Sequence, residues 1–308
     1  MHGIVVKSTG SWYTVRTPDG QYFDCRLKGK LRMEGSKQTN VVAVGDQVDF
    51  VIDPVDDNVM ITGIAPRKNH IIRRSTNLSK QSHVLAANLD QAIVLCSVSN
   101  PKTSLGFIDR YLITAEAYDI QAMVVINKMD SYGEEELAEV ALLEKVYGPY
   151  YPVLKISVHT KAGLDELNQA LKDKTSLLAG HSGVGKSSLI NVLNSDLALK
   201  TGGISTAHSK GTHTTTHAQL FELPTGGFII DTPGIKELGM FNMKKEEVCH
   251  FFPEMKLLFN QCRFNSCLHL NEPGCKVKEA VEKGEIAQSR YSTYVNILSG
   301  DELALKYQ

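Results

Sequence analysis

Hydrophobic and polar positions change period twice along this chain. Through its first part, short β-branched or aromatic runs (Gly3 to Lys7, Trp12 to Arg16, Gln21 to Leu27, Gln47 to Ile52) are separated by turn chemistry such as Pro18-Asp19-Gly20 and Val44-Gly45-Asp46. That rhythm predicts a small β-barrel. From Asp90 the pattern becomes that of an α/β domain with a parallel sheet. Gln91 to Val98 and Gln121 to Asn127 are continuous apolar strands on either side of an amphipathic helix, Phe107 to Tyr118. Further segments follow in alternation: a helix at Glu134 to Tyr147, a strand at Pro152 to Ser157, a helix at Gly163 to Leu171 and a strand at Lys174 to Ala179. A helix at Lys186 to Asn194 and strands at Thr216 to Leu223 and Gly227 to Ile230 complete the domain. Beyond Met240, helices at Val277 to Lys283 and Ala287 to Leu298 flank a Cys/His-rich loop. Three domains are expected: a barrel over 1–70, an α/β domain over 71–240 and a C-terminal α-helical domain over 241–308.

Composition narrows the class. A chain of 308 residues, 42% apolar and 22% charged, is long enough for two or three cores. Its longest apolar runs are far short of a membrane span, and the Met1 start lacks the apolar region of a secretory signal, so a cytoplasmic address and no membrane partner are expected. A single copy is the expected state. The net charge of −1 gives no overall sign of nucleic-acid binding, so any such partner must meet local patches. Two exist. Arg26, Lys28, Lys30, Arg32 and Lys37 cluster on and after the third strand, and Asn58 to Leu89 holds Arg67, Lys68, Arg73, Arg74 and Lys80 without one acidic residue. These fit an oligonucleotide-binding barrel with a basic face and loops, and equally a solvated loop followed by an ordinary linker.

The strongest motif is Gly180 to Ser188, in which Gly180, Gly185, Lys186 and Ser187 satisfy the P-loop pattern between a strand and a helix. The backbone through His181, Ser182, Gly183, Val184 and Gly185 to Ser188 would wrap a phosphate with N–H groups. Lys186 would reach the β- and γ-phosphates and Ser187 would bind Mg²⁺. Asn127-Lys128-Met129-Asp130 ends an apolar strand and matches the N-K-x-D pattern of guanine selection. One Asp130 carboxylate can accept both guanine donors, Lys128 can lie over the base and Asn127 can tie the two loops together. Ser157-Val158-His159-Thr160 fits a second base-contacting loop, as it also fits a generic helix entry.

After the P-loop helix, Leu199 to Thr216 is polar and rich in Gly and Thr. It reads as a nucleotide switch in which a threonine, Thr215 for preference, completes the Mg²⁺ shell, or as a plain loop. Asp231-Thr232-Pro233-Gly234 is a D-x-x-G pattern: Asp231 would hold Mg²⁺ through water and the Gly234 amide would sense the γ-phosphate. Ile235 stands where Ras-like proteins place their water-orienting Gln. Farther on, Cys262-x4-Cys267-x-His269-x5-Cys275 makes a closed Cys₃His set, the composition of a structural Zn²⁺ site, in contrast to the scattered Cys25, Cys96 and Cys249.

The N-K-x-D box precedes the P-loop, the reverse of ordinary GTPases. With the N-terminal barrel, the C-terminal Cys/His cluster, Ala87-Asn88-Leu89-Asp90-Gln91, Ile108-Asp109-Arg110 and Gly211-Thr212-His213-Thr214-Thr215-Thr216, the chain resembles the ribosome small-subunit-dependent GTPase A family along essentially its whole length. The resemblance implies an oligonucleotide-binding barrel, a circularly permuted GTPase core and a zinc domain. It further implies GTP hydrolysis to GDP stimulated by the small ribosomal subunit and its rRNA during late maturation. It also makes His213 the water-positioning group that Ile235 cannot be. The chain departs from the family at Thr212, where an Arg is usual, so no contact of that Arg is carried over. A competing function is a GTP-dependent binding switch with a protein partner, in which hydrolysis is incidental.

Overall fold

Alternating apolar positions close the first strands on one another. The computed structural model describes residues 1–29, 31, 40–54, 57–74, 82–194, 218–231 and 244–300. Strand β1 (His2–Ser8) pairs with β2 (Tyr13–Arg16), β2 with β3 (Tyr22–Leu27), and β3 in parallel with β5 (Val59–Ile64). β5 pairs with β4 (Gln47–Ile52), and β4 returns to β1 through His2 opposite Asp49. The barrel is filled by Val5, Tyr13, Val15, Cys25, Val48, Phe50 and Ile61.

The acid-free segment after Asn58 is not the loop or linker that its charge suggested. It contains β5 and then a hairpin of β6 (His70–Arg74) and β7 (Ser82–Ala87). The residues that look like a basic linker are held by asparagines and one buried ion pair. Arg67 donates from Nε and Nη2 to the two carboxylate oxygens of Asp46 at 2.7 and 2.8 Å, and from Nη2 to the Val41 carbonyl at 2.9 Å. Asn88 Nδ2 donates to the Gly45 carbonyl at 2.9 Å, while its Oδ1 accepts from the Lys68 amide at 2.9 Å. Gly45, at φ +91°, lies so close to the hairpin that a Cβ there would stand 2.2 Å from the Ala87 carbonyl oxygen.

The central sheet runs β10 (Val153–Lys155), β9 (Gln121–Ile126), β8 (Gln91–Cys96), β11 (Thr175–Ala179), β13 (Phe228–Asp231), β12 (Gln219–Glu222). The first five are parallel and β12 is antiparallel. On one face, Ala92, Val94 and Cys96 pack against α1 (Leu105–Ala117) and α2 (Glu134–Tyr147). On the other, Ile93 and Leu95 pack against α3 (Leu164–Leu171) and α4 (Lys186–Leu193). β12 joins the barrel: Lys7 of β1 is registered with Gln219, and Arg16 Nη2 donates to Glu222 Oε1 at 2.5 Å.

The C-terminal part opens with a 3-10 helix (Lys245–Phe251) and α5 (Pro253–Lys256), both too short to carry a period and not anticipated. α6 (Lys276–Glu282) and α7 (Gln288–Ser299) fall where the pattern put them. Their core, built on Phe252, Tyr294, Val277 and Leu298, takes in Ile113 of α1. Arg290, buried on α7, donates to both oxygens of Glu254 at 2.6 and 3.1 Å and to Asp109 of α1 at 2.9 Å. No helix among the described residues is long and apolar enough to cross a membrane.

Candidate nucleotide site and metal cluster

The Gly180 to Ser188 loop leaves the carboxyl end of β11 and enters α4, so its backbone meets the positive end of a helix. Gly180, Gly183 and Gly185 all have positive φ. At Gly185, φ is +104° and a Cβ would approach Asn127 Nδ2 to 2.5 Å, so only glycine fits between the loop and that amide. Buried Val184 anchors the loop in the core, the His181 ring lies 4.1 Å from the Phe107 ring of α1, and Ser182 and Gly183 face solvent. Lys186 Nζ donates to the Gly180 and His181 carbonyls at 2.7 and 3.0 Å, which fixes its ammonium across the loop. Ser187 and Ser188, half-buried, lie in the first turn of α4.

The Asn127-Lys128-Met129-Asp130 loop converges on the same place. Asn127, buried at the end of β9, donates from Nδ2 to the Val184 carbonyl at 2.8 Å and accepts at Oδ1 from the Val158 amide at 3.1 Å. One side chain therefore ties the Asn127-Lys128-Met129-Asp130, Gly180 to Ser188 and Ser157 to Thr160 segments together. Lys128 turns the chain in the left-handed region at φ +71°, and its ammonium donates to the Asn100 carbonyl. Ser157 Oγ donates to Asp130 Oδ1 at 2.5 Å, and His159 Nδ1 lies 3.4 Å from Oδ2. The Ser157 hydrogen bond holds the Asp130 carboxyl below its ordinary range, so it is an ionised acceptor at neutral pH. Asp130 lies in a 3-10 turn, Met129–Ser131, and the cap of α2 is Gly133.

Asp231 ends β13, next to the P-loop strand in the sheet. Its Oδ1 is buried with no hydrogen-bond partner among the described residues. Burial raises the carboxyl above its ordinary range while the nearby Lys186 charge opposes that rise. A buried carboxylate oxygen without a donor, on the strand next to the one that enters the P-loop, fits a divalent cation or its water. His213, Thr215 and Gly234, together with Thr212, Ile235, Lys30, Arg32, Lys37 and Lys80, lie outside the described residues.

In the C-terminal part, one ligand atom from each of Cys262, Cys267, His269 and Cys275 lies within 4.8 Å of the others. His269 Nδ1 is 3.6 Å from Cys262 Sγ and 3.4 Å from Cys275 Sγ, and the two sulfurs are 4.0 Å apart. Sulfur and nitrogen ligands about 2.3 and 2.1 Å from one Zn²⁺ would show edges of this length around a tetrahedron. Burial pushes the Cys267 thiol up to about 12 and raises that of Cys275, so ionising them together needs a cation. The shell is braced: Tyr291 and Tyr294 hydroxyls donate to the His269 and Leu268 carbonyls at 2.7 Å each, and Glu272 accepts from the Leu268, Leu270 and Asn271 amides.

Of the five basic residues in the acid-free segment, the four that lie among the described residues, Arg67, Lys68, Arg73 and Arg74, separate. Arg67 is corrected to a strut: its side chain is 15% exposed and its guanidinium is occupied by Asp46, whose side chain is fully buried. Lys68 is 66% exposed and pairs with Asp90 at 3.0 Å. Arg73 and Arg74 stand at the end of β6, and their side chains are not among those described. On the barrel the Arg26 guanidinium lies 4.1 Å from the exposed Trp12 ring, a stacked pair that counting charges alone did not show.

The chain is similar to known proteins along nearly its whole length. Residues 64–241 match the family described as RsgA GTPase, and residues 2–59 the RsgA N-terminal domain. The small ribosomal subunit biogenesis GTPase RsgA 2 of Bacteroides thetaiotaomicron is 48% identical over 303 residues, covering 98% of this chain and 97% of its own. The RsgA of Flavobacterium psychrophilum is 48% identical over 305 residues, 98% of this chain and 94% of its own. Among solved structures, YjeQ from Thermotoga maritima superimposes with a TM-score of 0.78 at 38% identity, covering 97% of both chains. YloQ, described as a circularly permuted GTPase, gives 0.73 at 28% identity, covering 97% of this chain and 94% of that one.

Proposed function

The chain belongs to the RsgA family of circularly permuted, small ribosomal subunit biogenesis GTPases, and from that premise we propose how its own residues bind GTP, hydrolyse it and time release from the subunit. The single observation that carries the reading is Asn127, which joins the phosphate loop to both base loops and so makes one site from three segments.

In this reading Asp130 accepts the two guanine N–H donors, Lys128 covers the base and Ser157 orients the Asp130 carboxylate. The backbone from Gly180 to Gly185 and the first turn of α4, with Lys186, hold the phosphates. Ser187, Thr215 and, through water, Asp231 would hold Mg²⁺, which would shield the charge that gathers on the phosphate oxygens. His213 orients a water whose oxygen bonds to the γ-phosphorus as the bond to the β,γ-bridging oxygen breaks, leaving GDP and phosphate. The Gly234 amide reports the γ-phosphate. The division at 1–70, 71–240 and 241–308 assigns the barrel and the C-terminal domain to the ribosomal particle. Cys262, Cys267, His269 and Cys275 hold one structural Zn²⁺ there.

Contact with rRNA falls to Lys68, Arg73, Arg74 and the Trp12–Arg26 pair on the barrel, where an aromatic ring and a cationic group stand together. The protein works as a monomer in the cytoplasm. The test is the GTPase rate alone, with purified small subunits and with large subunits. Stimulation by small subunits only, reduced when Lys68, Arg73 and Arg74 are neutralised together, supports the reading. An unchanged rate would leave a GTP-dependent switch with a protein partner.

A further inference from the structure

Tyr132 belongs to none of the GTPase motifs, yet its hydroxyl occupies the junction of two loops that border the base. Its Oη donates to the Asn127 carbonyl at 2.5 Å and accepts from the Val98 amide at 3.2 Å. Asn127 directly follows β9, and the next residue, Lys128, turns the chain in the left-handed region. Val98 lies in the loop after β8 whose Asn100 carbonyl receives the Lys128 ammonium. That loop is itself knotted by Ser97, whose Oγ donates to the Pro101 carbonyl at 2.6 Å and whose amide donates to Thr103 Oγ1 at 3.1 Å. Half-buried Tyr132 packs its ring against the core, so the phenol has little freedom. Both residues that face the base, Lys128 and Asp130, thus hang from a segment whose two ends are set by this one hydroxyl and by Ser157.

We propose that Tyr132 is a positioning residue for guanine selection, aligning the Asp130 carboxylate with the N1 and 2-amino donors of the base by clamping the Asn127 carbonyl to the Val98 loop. A phenol serves because one O–H can give and accept at once, which phenylalanine cannot do. The inference rests on the GTP reading of the site, and its test separates the two.

The experiment measures GTP and inosine triphosphate affinity by calorimetry for the full chain, Tyr132→Phe, Asp130→Ala and the double variant. Inosine lacks only the 2-amino group, so the GTP-over-inosine ratio reads the Asp130 alignment directly. Asp130→Ala should bring the ratio near one, and Tyr132→Phe should reduce it about 3- to 10-fold, the loss of one aligned hydrogen bond. The double variant should match Asp130→Ala. If Asp130→Ala leaves the ratio intact, the base reading itself is wrong. If Asp130→Ala collapses the ratio while Tyr132→Phe lowers only the melting temperature, Tyr132 is a structural brace and the positioning role is overturned.

Discussion

Arg290 Nη1 lies 2.9 Å from Asp109 Oδ1, an ion pair between positions 181 residues apart, with side chains 2% and 0% exposed. Around it, Thr293 Oγ1 donates to Asp109 Oδ2 at 2.6 Å and the Tyr147 hydroxyl to Oδ1 at 2.8 Å, so α1, α2 and α7 meet on one carboxylate. The Arg290 guanidinium also lies 4.8 Å from the Phe252 ring. Removing one partner leaves the other charged and buried. Arg290→Met should therefore destabilise the protein by about 3–5 kcal/mol, with the loss shared by the GTPase core and the C-terminal domain, as read by chemical denaturation. An unfolding midpoint equal to wild type would show that the contact is not a structural lock.

The basic segment that follows β5 separates by exposure. Arg67→Ala removes two hydrogen bonds from a fully buried carboxylate and should cost about 3 kcal/mol of stability. Lys68→Ala should change stability by roughly 0–1 kcal/mol, the value of an exposed pair. Thermal melts of the two variants check the contrast. Equal melts would mean that Asp46 finds another donor.

At the base, Asp130→Asn presents one donor and one acceptor in place of two acceptors. Xanthine, with a carbonyl where guanine has its amine, matches that pair, and guanine leaves a donor and the Asn amide opposed. GTP affinity should fall at least tenfold, about 1.4 kcal/mol or more, while xanthosine triphosphate gains. Competition binding with both nucleotides is decisive, and retained GTP preference would remove Asp130 from base recognition.

Metal removal is the next test. Because thiolate ligation and folding are one equilibrium, a chelator should unfold the segment from Gln261 to Lys276 and loosen α6 and α7, while the barrel persists. Far-UV circular dichroism with elemental analysis of the released ion reads both. Absence of stoichiometric zinc in protein purified without added metal would contradict the assignment.

His213→Ala should cut small-subunit-stimulated turnover about 10²-fold or more while GTP affinity holds, because the contact to attacking water forms only in the transition state. Thr215→Ala should instead weaken GTP-dependent subunit association. Wild-type turnover by His213→Ala on saturating subunits would point to the particle as the source of the missing group.

Legibility tracked the length scale of each feature. The P-loop, the N-K-x-D box and the Cys₃His set are local, and their spacing on the chain survives as geometry in space: Asn127 does reach Val184, and four ligand atoms do converge. The long helices were equally plain, α2 falling at Glu134–Tyr147 as its period required. What the pattern could not carry was pairing over distance. Nothing near Arg67 announces Asp46, nothing near Asp109 announces Arg290, and Tyr132 acts through a carbonyl that any residue possesses. The hairpin of β6 and β7 was hidden for a related reason: its charges read as a solvated stretch, while Ile71, Val84 and Ala86 on its inner side fill the core.

The seam between barrel and GTPase core has one further implication. Lys7 and Arg16 grip β12 at Gln219 and Glu222. A tug on that strand would have to snap the ladder and the ion pair together or swing the whole barrel with it. The barrel is thus harnessed to a strand far along the chain, and the harness can be fastened only once β12 has been made.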